Sequence, residues 1–120
     1  MSQIFGEIGQ IAYVTRDVQK LMRFFIESCR IGPWFYTEHR VIDQYFYRGK
    51  KYDIVFSVAI ANNGKWQIEL IQQRNDAPSL FLDWLKQHPE NEGNLVHHFA
   101  AWDDDYEAMV ARAKATGFEQ

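Results

Sequence analysis

The chain has little cysteine, proline or glycine: Cys29 is the only thiol, and 3 prolines and 7 glycines punctuate 120 residues. One thiol cannot build an internal disulfide framework, which points to a reducing, cytoplasmic setting. No apolar run is long enough to span a bilayer. The opening MSQIFGEIGQ has no basic segment followed by an apolar stretch, so no secretory leader is expected. Positive charge is not in excess. Lys+Arg is 13 against 16 for Asp+Glu, a net charge of −3, which argues against a compact nucleic-acid binder. A Gly-rich phosphate loop, a CxxC pair and a GxSxG elbow are all missing. The expected partner is a small molecule, with neither nucleic acid nor membrane.

What the chain has in quantity is apolar bulk. Hydrophobic residues make up 47% and charged residues 24%, which excludes disorder. Aromatics reach 16%, implying a bulky core, an apolar pocket, or both. The length suits one domain.

Local patterning divides the chain into strands and helices. Residues 8–14 read as a strand, followed by Asp17 as a helix cap. Val18, Leu21, Met22, Phe25 and Cys29 form one helical stripe, so Cys29 is expected to be buried and inert. Residues 34–39 read as a strand and 45–52 as an aromatic, basic loop. Arg48, Lys50 and Lys51 in that loop are either solvated or aimed at an anionic group. Strands follow at 53–61 and 65–72, with Asn62-Asn63-Gly64 as a hairpin signal. Pairing Ala61 with Trp66 sets Val58 opposite Glu69. Asp76-Ala77-Pro78 opens a helix that ends at His88-Pro89. A fifth strand spans 96–102, and Asp105 caps a last helix carrying Tyr106, Met109, Val110 and Ala113, ended by Gly117.

One unit recurs. Gln10-Ile11-Ala12 aligns with His98-Phe99-Ala100, and Asp17 aligns with Asp105, both at an offset of 88. Strand, acidic cap and amphipathic helix return in the same order and spacing. A pseudo-two-fold arrangement would bring Gln10 and His98 together.

Three residues stand out chemically. Glu69 lies in Trp66-Gln67-Ile68-Glu69-Leu70-Ile71, a strand otherwise suited to burial, where a carboxylate is costly unless paired or metal-bound. The other reading is a half-solvated strand with Gln67 and Glu69 facing water. His97 and His98 are adjacent, and a regular strand sends them to opposite faces, so one of them at most joins a site. The repeat selects His98 and sends His97 to the other face. Gln10 is polar at mid-strand, and its carbonyl can coordinate a metal or accept a hydrogen bond.

The segment from Ile8 to Val18 resembles the opening of the vicinal oxygen chelate superfamily, which includes glyoxalase I, methylmalonyl-CoA epimerase, extradiol dioxygenases and bleomycin-resistance proteins. Ile68-Glu69-Leu70 is similar to the metal-binding end of a first module, and Val96-His97-His98-Phe99-Ala100 to the opening of a second. The resemblance implies an α+β fold of paired βαβββ modules forming a curved mixed sheet with flanking helices. Module one would span about 5–75, a linker helix about 76–92, and a partial module two about 93–120.

The resemblance also implies a divalent metal (zinc, nickel, cobalt, manganese or magnesium) on Gln10, Glu69 and His98, with Glu69, or the fourth-position Glu that the sequence does not contain, as catalytic base. The family more often has His in the first position. Glyoxalase I of the animal type is similar to this chain in having Gln, then Glu, then His. Extradiol dioxygenases use two His, which Gln10 does not supply. The expected activity is a glyoxalase-like proton abstraction beside a carbonyl, as in an isomerase, epimerase or lyase, on an apolar substrate. Phe56, Val58 and Ile60 would line the pocket, or simply fill the sheet core. The alternatives are a metal-free ligand-binding module of the bleomycin-resistance type and a partner-binding domain with a decayed site. Three strands and a fourth ligand of the second module are not in the sequence. We therefore expect an omitted C-terminal segment, and a homodimer that covers the open strand edges.

Overall fold

A computed structural model describes residues 2–90 and 95–120. Five strands form one sheet in the order β2-β3-β4-β1-β5. They are β1 (Gln10–Val14), β2 (Trp34–Tyr47), β3 (Lys50–Asn63), β4 (Trp66–Gln73) and β5 (Val96–Ala100), with helices α1 (Val18–Glu27), α2 (Leu80–Gln87) and α3 (Tyr106–Ala115). β1 runs parallel to β4, and every other pairing is antiparallel, which makes the sheet mixed. The expected linker boundary near 92–93 lies outside the described residues.

Side-chain alternation gives the sheet two faces. The back face carries Tyr13, Ala59, Ile68 and Leu70, which pack under Val18, Leu21 and Phe25 of α1. The front face carries Val14, Ile54, Phe56, Val58 and Ile71, and α2 lays Phe81, Trp84 and Leu85 on part of it. α1 starts where expected, because the Asp17 side chain accepts from Lys20 N at 3.0 Å. It ends at Glu27, with Arg30 in the left-handed region at φ 58, so Cys29 falls beyond the helix and is exposed rather than buried.

Three other expectations are corrected. Residues 45–52 are not a loop. β2 and β3 continue to a two-residue turn, Arg48-Gly49, in which both residues have positive φ. Such a turn matches the strand twist, and Tyr45, Phe46, Tyr47 and Tyr52 have the shapes that strands favour. The β3–β4 hairpin is tighter than expected. Asn63 pairs with Trp66, leaving Gly64 (φ +66) and Lys65 as the turn, and Ile60 rather than Val58 lies opposite Glu69. That slip preserves every face. Finally, α2 begins at Leu80 rather than near Pro78. Ser79 is its cap: the hydroxyl accepts from Leu82 N at 3.0 Å and donates to Gln73 Oε1 at 2.6 Å.

The hairpin tip and α2 hold each other. Tyr47 donates its hydroxyl proton to the Asp83 carboxylate, and Tyr45 Oη accepts from Leu80 N at 3.3 Å. On the far side, Arg16 donates to the Leu85 carbonyl at 2.6 Å. The second helix cap repeats the first, since Asp105 accepts from Ala108 N at 3.0 Å. α3 is less amphipathic in place than expected: Met109, Val110 and Ala113 are half-buried and Tyr106 is exposed.

Candidate metal centre

The ladder registers put Gln10, Glu69 and His98 on one face. Gln10 pairs with Gln67 and Ala12 with Glu69 along β1 and β4, while Ala12 also faces His98 across β5. Val14, the next front-face residue of β1, packs in the α2 cluster, so all three side chains project forward. Equivalent residues of the repeat, Ile11 and Phe99, pair directly with each other. Gln10 then faces the counterpart of Ala12, and Ala12 faces the counterpart of Gln10, as a local two-fold axis through that pair requires.

Gln10 is 7% exposed and donates from Nε2 to Gln67 Oε1 at 2.7 Å. Among the described residues its Oε1 accepts no hydrogen bond. The Glu69 side chain is 19% exposed, and its Oε1 stands 4.0 Å from His98 Nε2. Burial pushes the Glu69 carboxyl above the ordinary carboxylate range, and the positive charge of Arg40 draws it back. Burial also lowers the pKa of His98. The 4.0 Å gap is too long for a hydrogen bond. It is close to the spacing, roughly 3–4 Å, of two donors on one zinc-like ion.

His97 is not where alternation puts it. β5 is bulged opposite β1: Val96 pairs with Tyr13 and His98 with Ala12, so His97 is the extra residue between them. The bulge turns His97 forward as well. Its Nδ1 lies 2.7 Å from His98 Nδ1, and its ring centroid is 5.4 Å from Phe81 and 5.1 Å from Trp84. Burial, with a smaller contribution from His98, pushes the His97 pKa down to about 4. The indole N–H of Trp84 is buried beside this ring with no partner among the described residues.

The expected pocket residues divide. Phe56 and Val58 are buried in the cluster beneath α2, with Phe56 in edge contact with Phe81, while Ile60 is half-buried opposite Glu69. Arg40 was not legible as a site residue. A bulge in β2 between Thr37 and Arg40 pairs Arg40 with Phe56 and so turns it to the front face. Among the described residues, no three His, Cys, Asp or Glu side chains come together as a metal cluster, so a three-donor set on this face has to include the amide of Gln10. An apolar groove of about 500 Å³ lies elsewhere, between Phe5, Ile8, Phe99, Met109 and Phe118. No helix among the described residues is long and apolar enough to cross a membrane.

The fold and the repeat define a class, and comparison with known proteins gives it a name. The chain belongs to the glyoxalase/bleomycin resistance protein/dioxygenase superfamily, whose model matches residues 9–120. Solved structures share the fold, three of them as follows. One is a methylmalonyl-CoA epimerase, with TM-score 0.58 and 21% identity over 98% of this chain and 74% of that one. A hypothetical protein from Bacillus halodurans C-125 gives 0.64 and 15% over 92% and 68%. The methylmalonyl-CoA epimerase from Mycobacterium tuberculosis gives 0.62 and 14% over 98% and 68%. Identities this low establish the fold and leave the reaction open. No curated protein matches the sequence significantly.

Proposed function

We propose that this chain is a divalent-metal-dependent enzyme of the glyoxalase-like type, removing a proton beside a carbonyl of an apolar small molecule, as an isomerase, epimerase or lyase does. The observation that carries the reading is the front-face trio. A sheltered carboxylate, Glu69, stands 4.0 Å from an imidazole nitrogen of His98, beside the buried amide of Gln10. The donor chemistry fits a divalent ion: one anionic oxygen, one amide oxygen and one imidazole nitrogen. Gln10, Glu69 and His98 would hold it. Bound there, the ion would polarise a substrate oxygen and stabilise the charge that develops when the neighbouring carbon loses its proton.

The chain's own residues supply the rest. Glu69 serves as base from its sheltered place on the front face, beside the His98 imidazole. Ile60 stands opposite Glu69 on the neighbouring strand, while Phe56 and Val58 floor the face under α2. The domain division is module one at about 5–75, a linker helix at about 76–92 and a partial second module from about 93. The partner protein is a second copy, and the setting is cytoplasmic.

One observation favours a second reading, a metal-free ligand-binding module. Only two of the three donors are residue types that ordinarily anchor a metal cluster, and Gln10 is already engaged by Gln67. Titration of dialysed protein with zinc or cobalt separates the two. The parent should bind one ion. Glu69→Gln should weaken binding more than about tenfold, because a neutral amide attracts a cation less than a carboxylate does. His98→Ala should also lower occupancy. No binding by the parent under any loading condition would select the binding module.

A further inference from the structure

We propose that His97 is a positioning residue for His98: its Nδ1 accepts the proton of His98 Nδ1–H, so that the lone pair of His98 Nε2 is presented on the front face toward Glu69. The inference rests on the reading of His98 as a metal ligand. The two Nδ1 atoms are 2.7 Å apart, so one must donate and the other accept. If His98 donates, its proton is on Nδ1 and its Nε2 is free to bind a cation. If His97 donates, His98 carries its proton on Nε2 and offers no donor pair beside Glu69.

Metal-binding histidines ordinarily pass their second N–H to a carboxylate, a backbone carbonyl or water, which fixes tautomer and ring orientation together. Here an imidazole occupies that place. The strand bulge puts it there, since a regular β5 would send the two rings to opposite faces. The ring is then confined by Phe81 and Trp84 at 5.4 and 5.1 Å between centroids. Both belong to α2, which is tied to the hairpin tip through Tyr47–Asp83 and Tyr45–Leu80 and to β1's end through Arg16–Leu85. A His97 that accepts at Nδ1 has its own proton on Nε2.

The test begins with histidine nitrogen NMR on the metal-free full chain, where His98 should be the Nδ1–H tautomer and His97 the Nε2–H tautomer. Two variants follow. His97→Asn keeps a side-chain acceptor near the same place, and His97→Phe keeps a flat ring between Phe81 and Trp84 without one. His98 should stay Nδ1–H in the first and move toward Nε2–H in the second. Cobalt(II) affinity of the dialysed protein should fall about tenfold to a hundredfold in His97→Phe and stay within about threefold of the parent in His97→Asn. A parent His98 in the Nε2–H form overturns the proposal, even where cobalt binds. So does one unchanged tautomer in the parent and both variants. A parent that binds no cobalt but holds His98 as Nδ1–H sinks the metal reading and upholds the positioning of His98. If His97→Phe does not fold, the parent spectrum and His97→Asn decide.

Discussion

Replacing His97 with Phe should flatten the acid side of the protein's stability curve. The imidazole titrates near 6.5 in the unfolded chain and at about 4 in the fold, where burial and the neighbouring His98 disfavour its charged form. Between those values the unfolded chain binds more protons than the folded one, so stability rises with pH. The stabilisation is complete above the unfolded value and is lost as pH falls from 6.5 toward 4. By linkage, the ring taken alone loses about 1.8 kcal/mol between pH 7 and pH 5. The ring is half-buried, and solvent screening reduces this to about 1 kcal/mol. Two neighbours also titrate. His98, lowered by burial, acts in the same sense. Glu69, raised by burial, acts in the opposite sense: its contribution is present at low pH and lost as pH rises through its folded value. The assay is urea unfolding of metal-free parent and His97→Phe at pH 7, 6 and 5. The parent should lose about 1 kcal/mol more than the variant. Parallel curves would refute the burial argument for His97.

Arg40→Gln removes the charge that draws the Glu69 carboxyl down, so the Glu69 pKa should rise further. Carboxyl-carbon NMR on metal-free protein reads it, and an unchanged titration would place Arg40 too far into solvent to matter. The 120-residue chain should self-associate, because among the described residues β2 and β5 have unpaired edges, and Phe99 and Phe118 are more than half exposed. A clean monomer by light scattering at high concentration would count against it.

Much of this architecture is legible in the residues, for identifiable reasons. Asp17 and Asp105 each precede an amphipathic run, and each caps its helix by accepting from the third residue on, Lys20 or Ala108. The offset of 88 is real in space, since Ile11 and Phe99 sit opposite each other. The face shared by Glu69, Phe56, Val58 and Ile60 survives an error in hairpin register because the slip is even, and side chains alternate with period two. The 45–52 hairpin was hidden by its basic residues, which read as solvated although Arg48-Gly49 needs only a positive-φ pair to reverse the chain. The bulges were not legible at all. An extra residue in one strand is a property of the pairing, so no count along β2 or β5 alone reveals it. Those are the places where Arg40 and His97 change face.

The repeat is also instructive where it fails. The residue 88 before His97 is Gly9, which has no side chain to offer Gln10. Gly9 serves instead as plain ladder, donating to the Ala100 carbonyl at 3.0 Å and accepting from Gln67 N at 2.8 Å. That second bond helps to fix Gln67 beside Gln10, and the Gln67 side chain takes the amide N–H of Gln10 at 2.7 Å. The Gln10 oxygen is thereby left as the free end of its amide. On the other strand His97 stands at the same distance, 2.7 Å, from the ring nitrogen of His98 that faces away from Glu69. On the proposed reading of Gln10 and His98 as metal donors, the two half-sites solve one problem differently. Each potential donor carries both an N–H and an acceptor atom, and each needs a neighbour to engage the N–H so that the acceptor faces the centre. In β1 that neighbour is an amide from the adjacent parallel strand. In β5 no described strand lies on the outer edge, and the neighbour comes from within the strand itself, by way of the bulge.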